Sequence, residues 1–190
     1  MQTAIIKDIG IVSISGNIHA ASQSGLIDMS LTYAYEGCSS IIYLMNSWGG
    51  SIDAGISIYN FLKSLTIPTI VYNIGTIESI AIPIFMACKT RYACPSSKFM
   101  HHEYNWSLGD NKTITIAQAT QYKQTLELEH RRVEMIVRAE GYDEQFISDL
   151  FPKENTYYSP EKALEYGLVH EIRPLEIPIN RIYGWRTIAG

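Results

Sequence analysis

Short runs rich in isoleucine, valine and tyrosine alternate along this chain with stretches whose apolar residues recur every three or four positions. The first pattern has the period of a strand and the second that of a helix, so their alternation predicts strand–helix units packed around a sheet. Residues 9–15 form the first expected strand, ended by Ser15-Gly16-Asn17. Residues 23–36 carry Leu26, Ile27, Leu31 and Ala34 at helical spacing, and Gly37 stands where a helix end wants a left-handed residue. A second apolar strand, 41–46, runs into Ser47-Trp48-Gly49-Gly50 and then a helix from Ser51 to about residue 65. That helix is apolar along two edges, with Ile52, Ile56 and Tyr59 on one and Ala54, Ile58, Phe61 and Leu65 on the other, which predicts wide burial.

Pro68 restarts an extended segment through Ile74, Gly75 marks a sharp turn, and residues 79–88 read as a short helix. Strands are expected near 91–94 and 98–102. From Tyr104 to Thr113 the chain is polar, with Gly109-Asp110-Asn111 at its centre, and reads as a loop or hairpin. The longest helix spans 115–139, with Ile116, Ala119, Tyr122, Leu126, Val133 and Ile136 expected inward and Glu127/Arg131 and Glu134/Arg138 paired outside. Gly141 stops it, a short helix covers 143–150, and Ser159-Pro160-Glu161 opens another that ends at Gly167. A last strand, 168–172, leaves residues 173–190 as a tail with Pro174 and Pro178, in which Tyr183 and Trp185 are candidates for packing on a neighbouring subunit.

Composition narrows the picture. The 190 residues, 46% hydrophobic and 18% charged, suit one compact domain, since two cores would leave halves of about 95 residues. Fifteen Lys plus Arg against 19 Asp plus Glu give a net charge of −4, and Arg131-Arg132 is flanked by acids, so no nucleic-acid partner is expected. The most apolar stretch, 67–88, contains Pro68, Asn73, Gly75, Glu78 and Pro83, which excludes a membrane span. Lys7 and Asp8 stand early and no apolar run ends at a small-residue cleavage site, so no signal peptide is expected. Cys38, Cys88 and Cys94 make an odd count without C-x-x-C spacing, which fits buried thiols in a reducing, cytoplasmic setting.

Three stretches can carry chemistry. At 74–81 a strand turns into a helix whose first turn holds Ser79; that geometry suits a nucleophile, and the helix N-terminus favours developing negative charge. Serine also caps helices at such positions for structural reasons alone. In Asn46-Ser47-Trp48-Gly49-Gly50-Ser51 the paired glycines let a backbone approach a ligand closely and aim N–H groups at an oxyanion or phosphate. The G-x-x-x-x-G-K-S/T pattern of a phosphate loop is missing, so a nucleotide site is not supported. The strand end Phe99-Met100-His101-His102-Glu103 puts two histidines on opposite sides, so one can be a general base while the other packs or faces outward. No metal or other cofactor is expected: His19, His130 and His170 lie in unrelated contexts, with His130 on the surface of the long helix.

Together these stretches resemble the proteolytic subunit of the Clp protease family, ClpP. In that family a strand ends N-S-P-G-G-S, a later turn reads G-x-x-x-S, a strand ends M-x-H and a terminal helix closes on Y-G-L-V. This chain has Asn46 to Ser51, Gly75 to Ser79, Met100-His101-His102 and Tyr166-Gly167-Leu168-Val169 in the same order and spacing, over roughly residues 9–172. The resemblance implies an α/β, crotonase/ClpP-like repeated ββα superhelix: one protease domain with its core at 8–172, a protruding handle at 103–140 and a tail beyond. It implies a serine endopeptidase hydrolysing peptide bonds of unfolded or small proteins inside stacked homo-oligomeric rings of fourteen subunits, alone or with a homologous ClpP subunit. Ser79 then matches the nucleophile, His102 the general base, and Gly50 and Ile80 the oxyanion-hole N–H donors, with peptide lying along Gly49, Ser51, Ile52 and Tyr104. A gap-free match puts Asn155 at the third catalytic position, where an amide fixes the imidazole tautomer but does not stabilise imidazolium as a carboxylate does. Shifting by one residue brings Glu154 there instead.

Trp48 replaces the family's proline beside the glycine pair, and Glu78 stands where the family has a small residue, so its carboxylate opposes oxyanion formation unless it points away. Only about eight residues precede the first strand, fewer than the family's axial gate uses, so control by an AAA+ unfoldase is not a firm expectation. Two other readings stay open: a catalytically weak or inactive ring partner or adaptor, motivated by Glu78 and Asn155, and a crotonase-type acyl-CoA enzyme, whose superfamily shares the fold.

Overall fold

The computed structural model describes residues 8–102, 113–151 and 155–189. They fold as two compact units, one of residues up to Met100 and from Tyr157 onward, the other from His101 to Thr156. The first unit opens with three strand–helix pairs: β1 (Ile9–Ile18) and α1 (Ala20–Tyr35), β2 (Ser40–Gly50) and α2 (Ile52–Ser64), β3 (Thr69–Glu78) and α3 (Ala81–Met86). β4 (Thr90–Ala93) and β5 (Lys98–His101) follow. The second unit holds α4 (Ile116–Ala139) and α5 (Glu144–Leu150), after which β6 (Thr156–Tyr158), α6 (Pro160–Glu165), β7 (Glu171–Ile172) and β8 (Ile182–Ala189) complete the chain.

Among the described residues the strands form one eight-stranded sheet in the order β6-β5-β3-β2-β1-β8. β1 pairs with β2 and β2 with β3, both in parallel. The outer edge of β3 is shared, residues 70–73 pairing with β4 and residues 76–78 with β5. Parallel strands are covered on both faces, which is why β2 reads as a nearly unbroken apolar run: Ile41, Ile42, Tyr43 and Met45 are all buried. On one face a cluster of Ile9, Ile11, Ile42 and Tyr72 is packed by Leu175, Ile177 and Ile182 from the end of the chain.

Several elements differ from expectation for identifiable reasons. α1 starts three residues early because His19 caps it: its Nδ1 accepts from the N–H groups of Ala21 and Ser22, and Ser22 Oγ accepts from His19 N at 2.7 Å. Histidine is an unusual cap, so its sequence signal is weak. Gly75 is no turn; β3 runs through it, and a side chain there would collide with that of Asn46. The expected inward positions Ile116 and Ala119 are exposed, and burial on α4 is confined to Val133, Ile136 and Val137 near its end.

The expected tail is a strand. β8 lies parallel to β1, with Ile9 opposite Ile182 and Ser15 opposite Ala189. Tyr183 packs edge-on against Tyr33 and its hydroxyl donates to Glu36 at 2.9 Å, while Trp185 stays exposed. The Asp8 carboxylate accepts from Arg181 Nε at 3.0 Å and Nη2 at 2.7 Å, and from the Ser39 hydroxyl, so one side chain ties the starts of β1, β2 and β8. No helix among the described residues is long and apolar enough to cross a membrane.

Hydrogen bonds from Arg181, then from Ser39, hold the Asp8 carboxyl below the usual carboxylate range. A depressed acid stabilises the fold above its unfolded value and loses that contribution as pH falls through its folded value. Asp8→Asn is therefore expected to lower the melting temperature at pH 7, with the difference from the parent closing below pH 3.8, read by thermal melting across pH.

Candidate active site

The centre of the first unit's polar end is the passage from β3 into α3. Ser79 has φ +54°, the one non-glycine residue with positive φ among those described. Such a backbone costs about 1–3 kcal/mol and persists only where the surroundings impose it. They do so here: Ser79 N donates to Met100 O of β5 at 2.9 Å, and Ser79 O accepts from Ile82 N at 3.0 Å in the first turn of α3. The serine on this strained strand-to-helix elbow is buried.

The end of β2 closes on this elbow. Gly49 has φ +89°, and a Cβ there would stand 2.8 Å from Ser79 Cβ and 2.9 Å from Glu78 O, so no other residue fits. Gly50 has φ +146°, and a Cβ on it would strike the Ile18 backbone. Ser47 braces the pair, its Oγ donating to Gly16 O at 2.7 Å and accepting from Gly49 N at 3.2 Å. Ser51 donates its N–H to Ile18 O and caps α2 through Oγ, which accepts from Ala54 N at 3.3 Å. Ile52 begins α2, and Ile80, fully buried, fills the space that a side chain on Gly55 would need.

Two asparagines register these strand ends. Asn46 Oδ1 accepts from Thr76 N at 3.0 Å. Asn73, fully buried, accepts from Gly75 N and donates from Nδ2 to Lys98 O at 2.8 Å, tying β3 to β5. A buried amide inside an apolar run is the signal that could have found it, because such a group must be hydrogen-bonded. Glu78, whose charge raised the concern above, accepts from Thr76 Oγ1 at 2.7 Å and stands 3.2 Å from Lys98 Nζ. Trp48 is exposed.

The second unit contains His101, His102 and His130. His101 is buried, and its imidazole is held down to about 3 by desolvation, with the neighbouring His102 and His130 charges adding to it. The His101 and His102 rings lie 6.2 Å apart at 26°, and Phe151 meets His101 edge-on at 5.3 Å. His130, expected on the surface, is half-buried and packs on the same Phe151 at 4.5 Å, with Glu134 beyond it at 3.9 Å. Asn155 is exposed just before β6. Glu154 and Tyr104 lie outside the described residues. Among the described residues no group of three or more His, Cys, Asp or Glu side chains could hold a metal ion.

Two outcomes are expected. Lys98→Met leaves the Glu78 carboxylate without its cation and should destabilise the protein more than Lys98→Met with Glu78→Gln, with a coupling of about 0.2–1 kcal/mol because the lysine is half-exposed; urea melts of the four proteins measure it. His101 stays neutral in the fold but takes a proton when unfolded, so stability should fall as pH drops from 6.5 towards about 3, and His101→Phe should flatten that slope in melts across the range.

The family model described as Clp protease matches residues 2–175. The ATP-dependent Clp protease proteolytic subunit 1 of Chlamydia abortus is 28% identical over 138 residues, spanning 70% of this chain and 69% of that protein. Subunit 2 of the corresponding protease of Corynebacterium efficiens is 29% identical over 154 residues, spanning 79% and 75%. Among solved structures, an asparagine-to-aspartate mutant of ClpP1 from Listeria monocytogenes matches with a TM-score of 0.72 over 90% of this chain and 93% of that one, at 22% identity. A peptidase from Plasmodium falciparum matches with a TM-score of 0.68 over 87% and 96%, at 19% identity. The structural likeness fixes the expected crotonase/ClpP-like α/β fold, and with a family match over nearly its whole length this chain belongs to the Clp protease family.

Proposed function

We propose that the protein is a serine endopeptidase in which Ser79 is the nucleophile, His102 the general base and Asn155 the residue that orients His102. The hydroxyl of Ser79 attacks a peptide carbonyl, His102 takes its proton and returns it to the leaving amine, and an acyl-enzyme is then hydrolysed by water. The N–H groups of Gly50 and Ile80 receive the oxyanion, each worth about 2.7–4 kcal/mol in the transition state. Peptide lies along Gly49, Ser51, Ile52 and Tyr104 as an added strand.

The observation that carries the reading is the positive-φ backbone at Ser79, packed against Gly49 with no room for a Cβ between them. Strain at a serine with a glycine pair beside it is what a nucleophile with an adjacent oxyanion site requires, and a helix cap requires neither. The Lys98 ammonium beside Glu78 answers the objection that an uncompensated carboxylate precedes the nucleophile.

The same proposal includes assembly into stacked rings, supported by the exposed apolar positions Ile116, Leu128 and Met135 along α4. It includes cytoplasmic operation, supported by the three free thiols of Cys38, Cys88 and Cys94. An amide at the third position favours slow turnover over inactivity. A fluorophosphonate probe should label the parent at Ser79 and leave Ser79→Ala unlabelled, with peptide hydrolysis lowered by about 1,000-fold or more. Asn155→Asp should speed hydrolysis of a fluorogenic peptide. Labelling that persists in Ser79→Ala overturns the assignment.

A further inference from the structure

His101 is buried at the end of β5. Its ring is held in an aromatic cluster. Its ring lies nearly parallel to that of His102, 6.2 Å between centroids, in the offset arrangement that aromatic rings favour. Phe151, at the end of α5, meets His101 edge-on at 5.3 Å and itself packs on His130 of α4 at 4.5 Å. β5 ends at His101, so His102 lies just past the strand.

We propose that His101 is a positioning residue for His102, its ring setting the orientation of the neighbouring imidazole, with Phe151 and His130 as the backing that keeps His101 from turning. This rests on the reading of His102 as the general base, and it adds a residue for which the proposed mechanism has no use. A planar ring at position 101 is what the role needs; its ability to titrate is not.

The test compares three substitutions. His101→Ala and His101→Leu remove the ring, the second keeping the bulk in case the first fails to fold, while His101→Phe keeps a planar aromatic. On a fluorogenic peptide, both ring-less proteins are expected to lose about tenfold in kcat with KM unchanged, as a misplaced base would give, and His101→Phe to stay within about twofold of the parent. Phe151→Leu should lower kcat in the parent and add little to His101→Leu. The readout independent of turnover is the His102 imidazole resonance, followed by NMR in a Ser79→Ala background: displaced in His101→Leu and restored in His101→Phe. An unchanged resonance in His101→Leu, or kcat equal to the parent's, overturns the proposal. If no protein in the series hydrolyses peptide, the peptidase reading fails while the resonance still decides whether His101 orients His102.

Discussion

A serine held with positive φ is the constraint around which the first unit is arranged. Left alone, that backbone would relax to an ordinary helical or extended conformation and release about 1–3 kcal/mol. It is kept in place from two sides, by the Met100 carbonyl of β5 and by Gly49, which lies so close that a Cβ on it would strike the Ser79 Cβ. Both restraints are non-local, so the elbow exists only when β2, β3 and β5 are assembled. A polar network makes that assembly specific. Asn46, Ser47 and Asn73 each bond backbone groups of another strand or turn near the strand ends, where the ladder alone leaves bonds unmade.

The charged surroundings follow the same logic. A carboxylate one residue before the elbow is tolerable because the strand alternation puts Glu78 on the face of Thr76 and Lys98, where both partners meet it. The half-exposed lysine makes this an inexpensive compensation, a modest one in stability but one that removes a bare negative charge next to the serine. Burial of His101 follows a different rule. Its ring is kept neutral by desolvation, and in the second unit it meets the rings of both His102 and Phe151.

The C-terminal segment shows how much of the fold is settled far from the motifs. Residues after 175, past the extent of the family match, supply a whole edge strand and part of the apolar cover of one sheet face. β8 is retained by side chains that alone look unremarkable: Asp8 with Arg181, Glu36 with Tyr183, and Tyr33 under Tyr183. The register that aligns β8 with β1 also steadies the strand whose end, Ile18, accepts the Ser51 N–H behind the glycine pair.

Local chemistry was written in the residues themselves. The alternating periods gave the strand–helix pairs, Ser51, Thr115 and Ser159 marked true helix starts, and the glycine pair, the serine after Gly75 and the histidine pair stood at legible spacings. These features act over a few positions, which is why spacing reveals them. Tertiary contact alone decided the rest. Pro174 and Pro178 disguised a strand that forms only against β1, and Gly75 looked like a turn because the Asn46 side chain that requires it lies on another strand. His130 looked like a surface residue because its partner Phe151 belongs to a different helix, and Ile116 looked buried because a helical period shows which face is apolar and not whether anything covers it. Pairings between distant segments leave no periodicity in either one, so a single chain read in order does not contain them.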